Sequence, residues 1–182
     1  MKNFKYYTLD IFETFALSFI IIMFLYKVVA SIEVVWGSSM EPNFYSNERI
    51  LVDRITPIFD DYKRGDVIVF IPPNDEDKHY IKRIIGLPGE LLKINNCQVY
   101  VNNEGDKYEI EEPYLFENIC TSGGTEIKEG RSIKIPMDQY LALGDNRTNS
   151  VDSRYIGFID RDKIIGRVVF ILWPIGRIGF VN

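Results

Sequence analysis

Residues 67–85 have the sequence VIVFIPPNDEDKHYIKRII, in which two apolar runs flank a stretch of turn-forming residues. The first run ends at two consecutive prolines, and the second begins at Tyr80. Short runs rich in β-branched residues and bounded by proline, asparagine and aspartate are typical of β-strands. The stretch therefore predicts two strands that follow one another in the chain, and it favours a β fold.

Similar short runs occur through the rest of the chain, whereas helical periodicity is weak after residue 36. We therefore predict a mainly β body. Asn95 and Asn96 interrupt an alternating stretch and predict a hairpin turn. Residues 95–137 are richer in glycine, asparagine and glutamate, which predicts a small inserted β subdomain. The last apolar run, residues 164–173, is too short to cross a membrane and is predicted to be a buried strand.

The composition excludes several classes of function. An apolar content of 46% and a charged content of 26% over 182 residues are typical of a globular protein. The net charge of −5 argues against a nucleic-acid-binding protein. One histidine and two cysteines do not form a zinc site, so no metal or cofactor is predicted. Cys97 and Cys120 form a disulfide if the body lies outside the cytoplasm, or are small core residues if it lies inside, and the sequence leaves both open.

An apolar segment covers residues 12–35, and its densest part, residues 15–26, carries no charge. A spanning helix needs ~20 residues, which this segment reaches if the Lys27 side chain extends to the headgroups. Lys2 and Lys5 favour a cytoplasmic N-terminus. We predict that residues 1–35 form a tail and a transmembrane anchor, and that residues 36–182 form a separate body. A signal peptide cleaved near Ala30 and a buried helix are the alternatives.

Lys82 stands out because it interrupts an apolar strand. Alternate residues of a strand share a face, so Tyr80, Lys82 and Ile84 are predicted to project together. Burial disfavours the charged ammonium and lowers the pKa of a lysine, which a general base needs near neutral pH. The alternative is an ordinary lysine that reaches solvent past Tyr80. A Ser-His-Asp triad would have to use His79, the single histidine, so a lysine base is the natural substitute.

Ser39 lies in the sequence Gly37-Ser38-Ser39-Met40-Glu41-Pro42, shortly after the apolar segment. The glycine permits close backbone approach, and the proline restricts the turn. A nucleophilic serine needs an exposed hydroxyl and nearby backbone N–H donors, and a loop of this composition supplies both. A polar loop without catalytic function is the alternative.

Residues 144–154, GDNRTNSVDSR, are dense in hydrogen-bonding side chains and follow an apolar run. Ser150 is a candidate partner for the Lys82 amine, and Asp152 and Arg154 are candidates for an ion pair that holds this loop. The alternative is a polar turn built from residues with high turn propensity.

Four motifs occur in a specific order: SMEP at residues 39–42, RGDVIVF at residues 64–70, YIKRIIGLPGE at residues 80–90 and the run at residues 144–154. In these motifs the chain resembles the bacterial type I signal peptidases, membrane-anchored serine proteases of family S26 with a Ser–Lys dyad. The motifs together span nearly the whole body.

The resemblance implies a role for each matching residue. Ser39 is expected to be the nucleophile, Lys82 the general base and Ser150 the hydroxyl that orients the lysine, while Asp152 and Arg154 form a supporting ion pair. The residues expected to help line apolar substrate pockets are Met40, Tyr80, Ile81 and Val151.

The resemblance also implies an antiparallel β body with an apolar surface on the lipid bilayer, in a single-pass protein of the cell membrane. Residues 36–182 would be its extracytoplasmic catalytic domain. The expected substrates are preproteins with signal peptides, cut after small-x-small sequences. The chain departs from the family at Asn43, where threonine is usual. Some members carry a serine whose hydroxyl joins the oxyanion hole at the position of Gly37, while others have glycine as here, which leaves the second oxyanion donor open.

Two other hypotheses compete with this one. A self-cleaving repressor or a pilin-processing protease would keep the dyad and change the substrate, but the apolar segment argues against the soluble repressor type. A catalytically silent membrane-anchored β domain would bind export partners without cutting them, and the presence of both Ser39 and Lys82 argues against it.

Overall fold

The computed structural model describes residues 2–73, 75–103, 106–116 and 119–181, without the side chains of residues 2–7, 9, 25–28, 103, 106 and 107. It begins with helix α1, Lys2–Val29. The strands, in chain order, are β1 Ala30–Val34, β2 Arg49–Asp53, β3 Val67–Phe70, β4 Tyr80–Gly86, β5 Leu91–Asn95, β6 Gln98–Asn103, β7 Asp106–Glu109, β8 Ser132–Lys134, β9 Gln139–Leu143, β10 Ile159–Asp160, β11 Ile164–Trp173 and β12 Gly179–Phe180. The short helices are α2 Thr56–Phe59 and α3 Ser153–Ile156.

Helix α1 extends from the body and leaves its apolar side chains uncovered. From Ile11 to Phe24, its large apolar residues are between 49% and 73% exposed. Within the described residues, no helix combines the length and the apolar content that a membrane crossing needs. The predicted transmembrane anchor is therefore not confirmed. The predicted roles of Lys2, Lys5 and Lys27 lie outside the described side chains.

The first antiparallel sheet carries the two strands predicted from residues 67–85. Its order is β1-β2-β11-β3-β4-β9-β10, and β12 adds to β11. Strands β3 and β4 pair directly, with Ile68 opposite Lys82. All four residues of β3 are buried, as are the last six of β4, because apolar side chains cover both faces of the sheet. The predicted mainly β fold is confirmed.

The second antiparallel sheet has the order β7-β6-β5-β8. Its β5–β6 hairpin turns at Asn96 and Cys97, which have φ of 51° and 68°. Two consecutive residues with positive φ match the twist of a two-residue hairpin, and asparagine tolerates this conformation well. Cys97 forms a disulfide with Cys120, which joins the turn to the segment after β7 and resolves the question that the sequence left open.

The two sheets share apolar packing. Ile85 and Leu143 of the first sheet belong to the same buried cluster as Leu92, Ile94 and Val101 of the second. The second sheet is thus packed against the first sheet in this region, and it runs from Leu91 to Lys134. The subdomain limits of residues 95–137 and the division at residue 35 stay predictions.

Candidate active site

Ser39 lies in the turn between β1 and β2. Gly37 precedes it with a φ of +83°, a conformation that favours glycine, and the space around the Gly37 Cβ position is open. Met40 is buried, and the Phe44 backbone N–H donates to its carbonyl oxygen at 2.9 Å. The turn is therefore anchored from inside by Met40, while Ser39 is held at its surface.

Lys82 projects from β4 towards this turn. Its Nζ lies 2.8 Å from Ser39 Oγ, and it donates to the Ile81 carbonyl oxygen at 2.8 Å. The Tyr80 ring, centred 5.3 Å away, covers it from another side, and only 4% of Lys82 is exposed. Burial lowers the pKa of Lys82 to about 8, although the nearby Asp152 carboxylate acts to raise it. A substantial fraction of the amine is therefore neutral slightly above neutral pH, as a general base requires.

The loop at residues 144–154 packs directly against the Ser39 turn. The Asn146 backbone N–H donates to the Ser39 carbonyl oxygen at 3.0 Å, and its side-chain amide donates to the Ser38 carbonyl oxygen at 3.1 Å. The Asn149 amide donates to Ser38 Oγ at 2.8 Å. A Cβ added at Gly144 would lie 2.5 Å from the Ser39 carbonyl oxygen, so only glycine allows this approach.

The predicted ion pair between Asp152 and Arg154 is present and buried. Two hydrogen bonds of 2.8 Å join the Arg154 guanidinium to the Asp152 carboxylate, which also accepts from the Gly144 backbone N–H at 3.0 Å. Burial acts to raise the pKa of Asp152, but the hydrogen bonds and charge of Arg154 outweigh it and hold this pKa below its ordinary value. The Asp152–Arg154 pair thus holds Gly144, the first residue of the loop, in place.

The Ser150 hydroxyl does not bond to Lys82 as predicted. It is buried and makes no hydrogen bond within the described part of the chain. It lies near enough to Asp152 to help lower the pKa of that carboxylate. Ser150 is nevertheless at the site, since its Oγ lies 2.2 Å from the Cβ position of Gly144, next to the Ser39 turn.

A cavity of about 1130 Å³ opens over the Ser39–Lys82 pair. Of the four predicted pocket residues, Tyr80 and Val151 line it. Met40 and Ile81 do not, because they point into the buried cluster that supports the Ser39 turn. The remaining lining residues include Ile32, Glu33, Val34, Trp36, His79, Thr148 and Tyr155.

One buried network at the site was not predicted from the sequence. Arg83 donates to both carboxylate oxygens of Asp145, at 3.0 and 2.8 Å, and its guanidinium lies 4.1 Å from the centre of the Tyr114 ring. Asn43 donates to the same carboxylate and to the Tyr114 carbonyl oxygen, both at 2.8 Å. Asn43, the residue that departs from the family pattern, thus joins the Ser39 turn to this network. The available signal was Asp145, a charged residue that follows an apolar strand after one glycine.

The described residues contain no group of three or more His, Cys, Asp or Glu side chains placed to hold a metal ion. The arrangement at Ser39 offers a serine hydroxyl beside a buried amine of lowered pKa. These groups are what acyl transfer by a Ser–Lys pair requires.

Comparison with known proteins agrees with this chemistry. Residues 8–173 match the family model described as "Signal peptidase, peptidase S26". The chain belongs to the signal peptidase I family, peptidase S26. It is therefore a serine peptidase of the family that its four motifs predicted.

Several signal peptidases are similar along most of their length. A probable signal peptidase I-2 from Synechocystis sp. is 35% identical over 96% of this chain and 77% of its own. Signal peptidase I from Bacillus amyloliquefaciens is 39% identical over 80% of this chain and 77% of its own. A crystal structure of a signal peptidase I from Enterococcus faecalis, 28% identical, covers 59% of this chain and 97% of its own with a TM-score of 0.48.

Proposed function

We propose that this chain is a serine endopeptidase that removes signal peptides from exported preproteins, with Ser39 as nucleophile and Lys82 as general base. The observation that carries the proposal is the 2.8 Å distance between Lys82 Nζ and Ser39 Oγ, together with the lowered pKa of the buried lysine. Membership in the signal peptidase family supplies the substrate class.

In the first half-reaction, neutral Lys82 accepts the Ser39 proton while Ser39 Oγ attacks the scissile carbonyl carbon. The Ile81 carbonyl oxygen accepts one N–H of the amine, which directs the nitrogen lone pair towards Ser39. The lysine then returns the proton to the departing amine, and an acyl-enzyme remains. In the second half-reaction Lys82 deprotonates a water that attacks the ester, which releases the signal peptide and restores Ser39.

The surrounding loop holds the pair in place. The Ser39 backbone N–H is proposed as an oxyanion donor, and the bond from Asn146 to the Ser39 carbonyl oxygen fixes the orientation of the turn. Asp152 and Arg154 hold Gly144 against this turn. Ser150 is proposed to orient Lys82, because it lines the same cavity as Ser39 and Lys82.

Cleavage after small-x-small sequences is proposed from the resemblance to the family, and the residues around Ser39 support it. Tyr80 and Val151 form part of the cavity wall. Met40 and Ile81 are buried in the apolar cluster behind this wall and keep it rigid. A large substrate side chain would meet these residues, whereas alanine would fit. Strand β1 lies at an edge of the first sheet and lines the cavity, so an extended substrate can pair with it.

Membrane attachment is proposed to occur through α1, whose contiguous exposed apolar side chains are unfavourable in water. The catalytic body is proposed to lie on the extracytoplasmic side, since the Cys97–Cys120 disulfide is the kind of bond that persists in an oxidising compartment. Extraction of membranes with alkaline carbonate should leave the full chain in the pellet. Removal of residues 1–29 should release the body, and release of the intact chain would contradict attachment.

The proteolytic proposal is tested with a purified preprotein in detergent or lipid. Ser39→Ala and Lys82→Met should each abolish cleavage, and N-terminal sequencing of the wild-type product should place the cut after a small-x-small sequence. The matched controls are Ser132→Ala and Lys93→Met on the second sheet, which should retain wild-type activity. Cleavage by the Ser39→Ala protein would overturn the assignment of the nucleophile.

A further inference from the structure

Glu33 and His79 form a contact that joins two walls of the cavity. Glu33 belongs to β1, and His79 immediately precedes β4. Their side chains meet at 3.3 Å between Glu33 Oε2 and His79 Nδ1, although the residues are 46 positions apart in the chain. Both line the cavity that contains Ser39 and Lys82. We refer to this cavity as the substrate groove. The Glu33–His79 pair lies at one end of the groove and is not part of the catalytic dyad.

The position of the pair along a bound substrate follows from strand geometry. His79 is three residues from Lys82, which is about 10 Å along an extended strand. When the scissile carbonyl of an extended substrate lies at Ser39, the substrate residue next to the Glu33–His79 pair is therefore about three positions from the scissile bond. Successive side chains point to opposite sides, so the side chains two and four residues from the scissile bond share a face.

The position of α1 indicates whether the substrate residues that reach the pair lie upstream or downstream of the scissile bond. Glu33 is four residues after Val29, where α1 ends, so the pair lies at the end of the groove that is nearer to this helix. If α1 is held in the membrane, the apolar segment of a signal peptide approaches from the same side. That segment precedes the scissile bond, so the residues that reach Glu33 are upstream of the cut.

The charge at this end of the groove is negative. Glu33 is partly exposed and also accepts from the Ser31 hydroxyl at 3.4 Å. Of the other groups there, Asp77 is acidic, while Lys78 pairs with Asp75 at 2.5 Å. A lysine or arginine of the substrate would meet a carboxylate that already accepts hydrogen bonds, whereas a substrate carboxylate would be repelled.

We propose that Glu33, held across the groove by His79, is a specificity-determining residue that favours a basic side chain two or four residues upstream of the scissile bond and disfavours an acidic one. The proposal rests on the proteolytic function proposed above and adds a charge preference at a position other than those of the two required small residues.

The test uses preproteins that keep alanine one and three residues before the cut and carry Lys, Ala or Glu at the second or fourth position. At low salt the wild-type protein should cleave the Lys substrate with a kcat/KM about fivefold above that of the Glu substrate at one of these positions. Glu33→Gln should bring the ratio near one, and Glu33→Lys should reverse it. Glu126→Gln, an exposed carboxylate elsewhere, should leave the ratio unchanged.

The Ala substrate separates the two proposals. If the wild-type protein does not cleave it, the proteolytic function fails. If it is cleaved while the Lys and Glu substrates react equally, the assignment of Glu33 is overturned, as it is if Glu33→Gln retains the preference.

Discussion

Lys82 and Arg83 are consecutive residues of β4 whose side chains leave opposite faces of the sheet and hold the Ser39 turn from two directions. Lys82 Nζ lies 2.8 Å from Ser39 Oγ. Arg83 pairs with Asp145, whose carboxylate also accepts a hydrogen bond from Asn43, four residues after Ser39. One short strand thus supplies the proposed base and fixes the loop that carries the proposed nucleophile.

The pH profile should show the lowered pKa of the base. Lys82 acts only when it is neutral, so kcat/KM should fall about tenfold for each pH unit below a pKa of about 8 and reach a plateau above it. Cleavage of a preprotein from pH 6 to pH 10 measures this. A plateau that begins only near pH 10.5, the ordinary pKa of lysine, would contradict a buried base.

Lys82→Met should make the protein inactive and more stable at pH 7. At that pH Lys82 is protonated in both the folded and the unfolded chain, and burial of its charge costs up to about 3 kcal/mol. Between pH 8 and 10.5 the folded protein has lost the proton while the unfolded chain still binds it, so wild-type stability rises and the difference shrinks. Urea unfolding at pH 7 and pH 10 measures both effects.

Lys93→Met, on β5, serves as the control for that comparison and should show no such dependence on pH. A Lys82→Met protein that is less stable than wild type at pH 7 would mean that the burial cost of the lysine is offset by its hydrogen bonds.

Gly144→Ala should reduce cleavage by about two orders of magnitude. The added Cβ would lie 2.2 Å from Ser150 Oγ and 2.5 Å from the Ser39 carbonyl oxygen, so one of the two loops must move. Gly176→Ala is the matched control, since the Cβ position there is open. Thermal unfolding of both proteins separates a displaced site from a failure to fold. Wild-type activity in Gly144→Ala would show that the close approach is unnecessary.

Arg83→Lys should lower the free energy of unfolding by about 2 to 4 kcal/mol. A lysine cannot reproduce the two parallel hydrogen bonds to Asp145 or the contact with the Tyr114 ring, so a buried carboxylate is left partly unpaired. Arg131→Lys at an exposed position should change stability by less than about 0.5 kcal/mol. Denaturant unfolding of the three proteins is the measurement, and equal stability would contradict the importance of this pair.

Loss of the disulfide should destabilise the second sheet. Cys97 and Cys120 are 23 residues apart, and a loop of this length corresponds to about 3 kcal/mol of stabilisation. The double variant Cys97→Ser/Cys120→Ser should unfold at lower denaturant and be insensitive to reductant. Wild-type protein treated with reductant should unfold at the same concentration as the variant. No effect of reductant on wild type would show that the bond does not contribute.

Much of the fold could be predicted because its signals are local. Turn residues around the β3 and β4 runs marked both strands, and the alternation along β4 placed Lys82 beside Tyr80. The second sheet was predicted as an insertion, but its packing against Ile85 and Leu143 depends on contacts between distant residues. The orienting role of Ser150 towards Lys82 stays a prediction for a similar reason, since the orientation of a hydroxyl depends on how two loops pack.

The sequence by itself determined the family and the β class, and it supplied the residues that we propose to react, because motif order, strand periodicity and side-chain chemistry are properties of the chain. Only the tertiary structure decided that Met40 and Ile81 support the cavity from behind, that Cys97 pairs with Cys120, that Asn43 joins Asp145 and that Glu33 meets His79 across the groove. These contacts join residues from about 20 to more than 100 positions apart, and no local pattern encodes a distance between such residues. The depressed pKa of Lys82 belongs to both levels: the apolar strand predicted burial, and the packing of Tyr80 and the Ser39 turn achieves it.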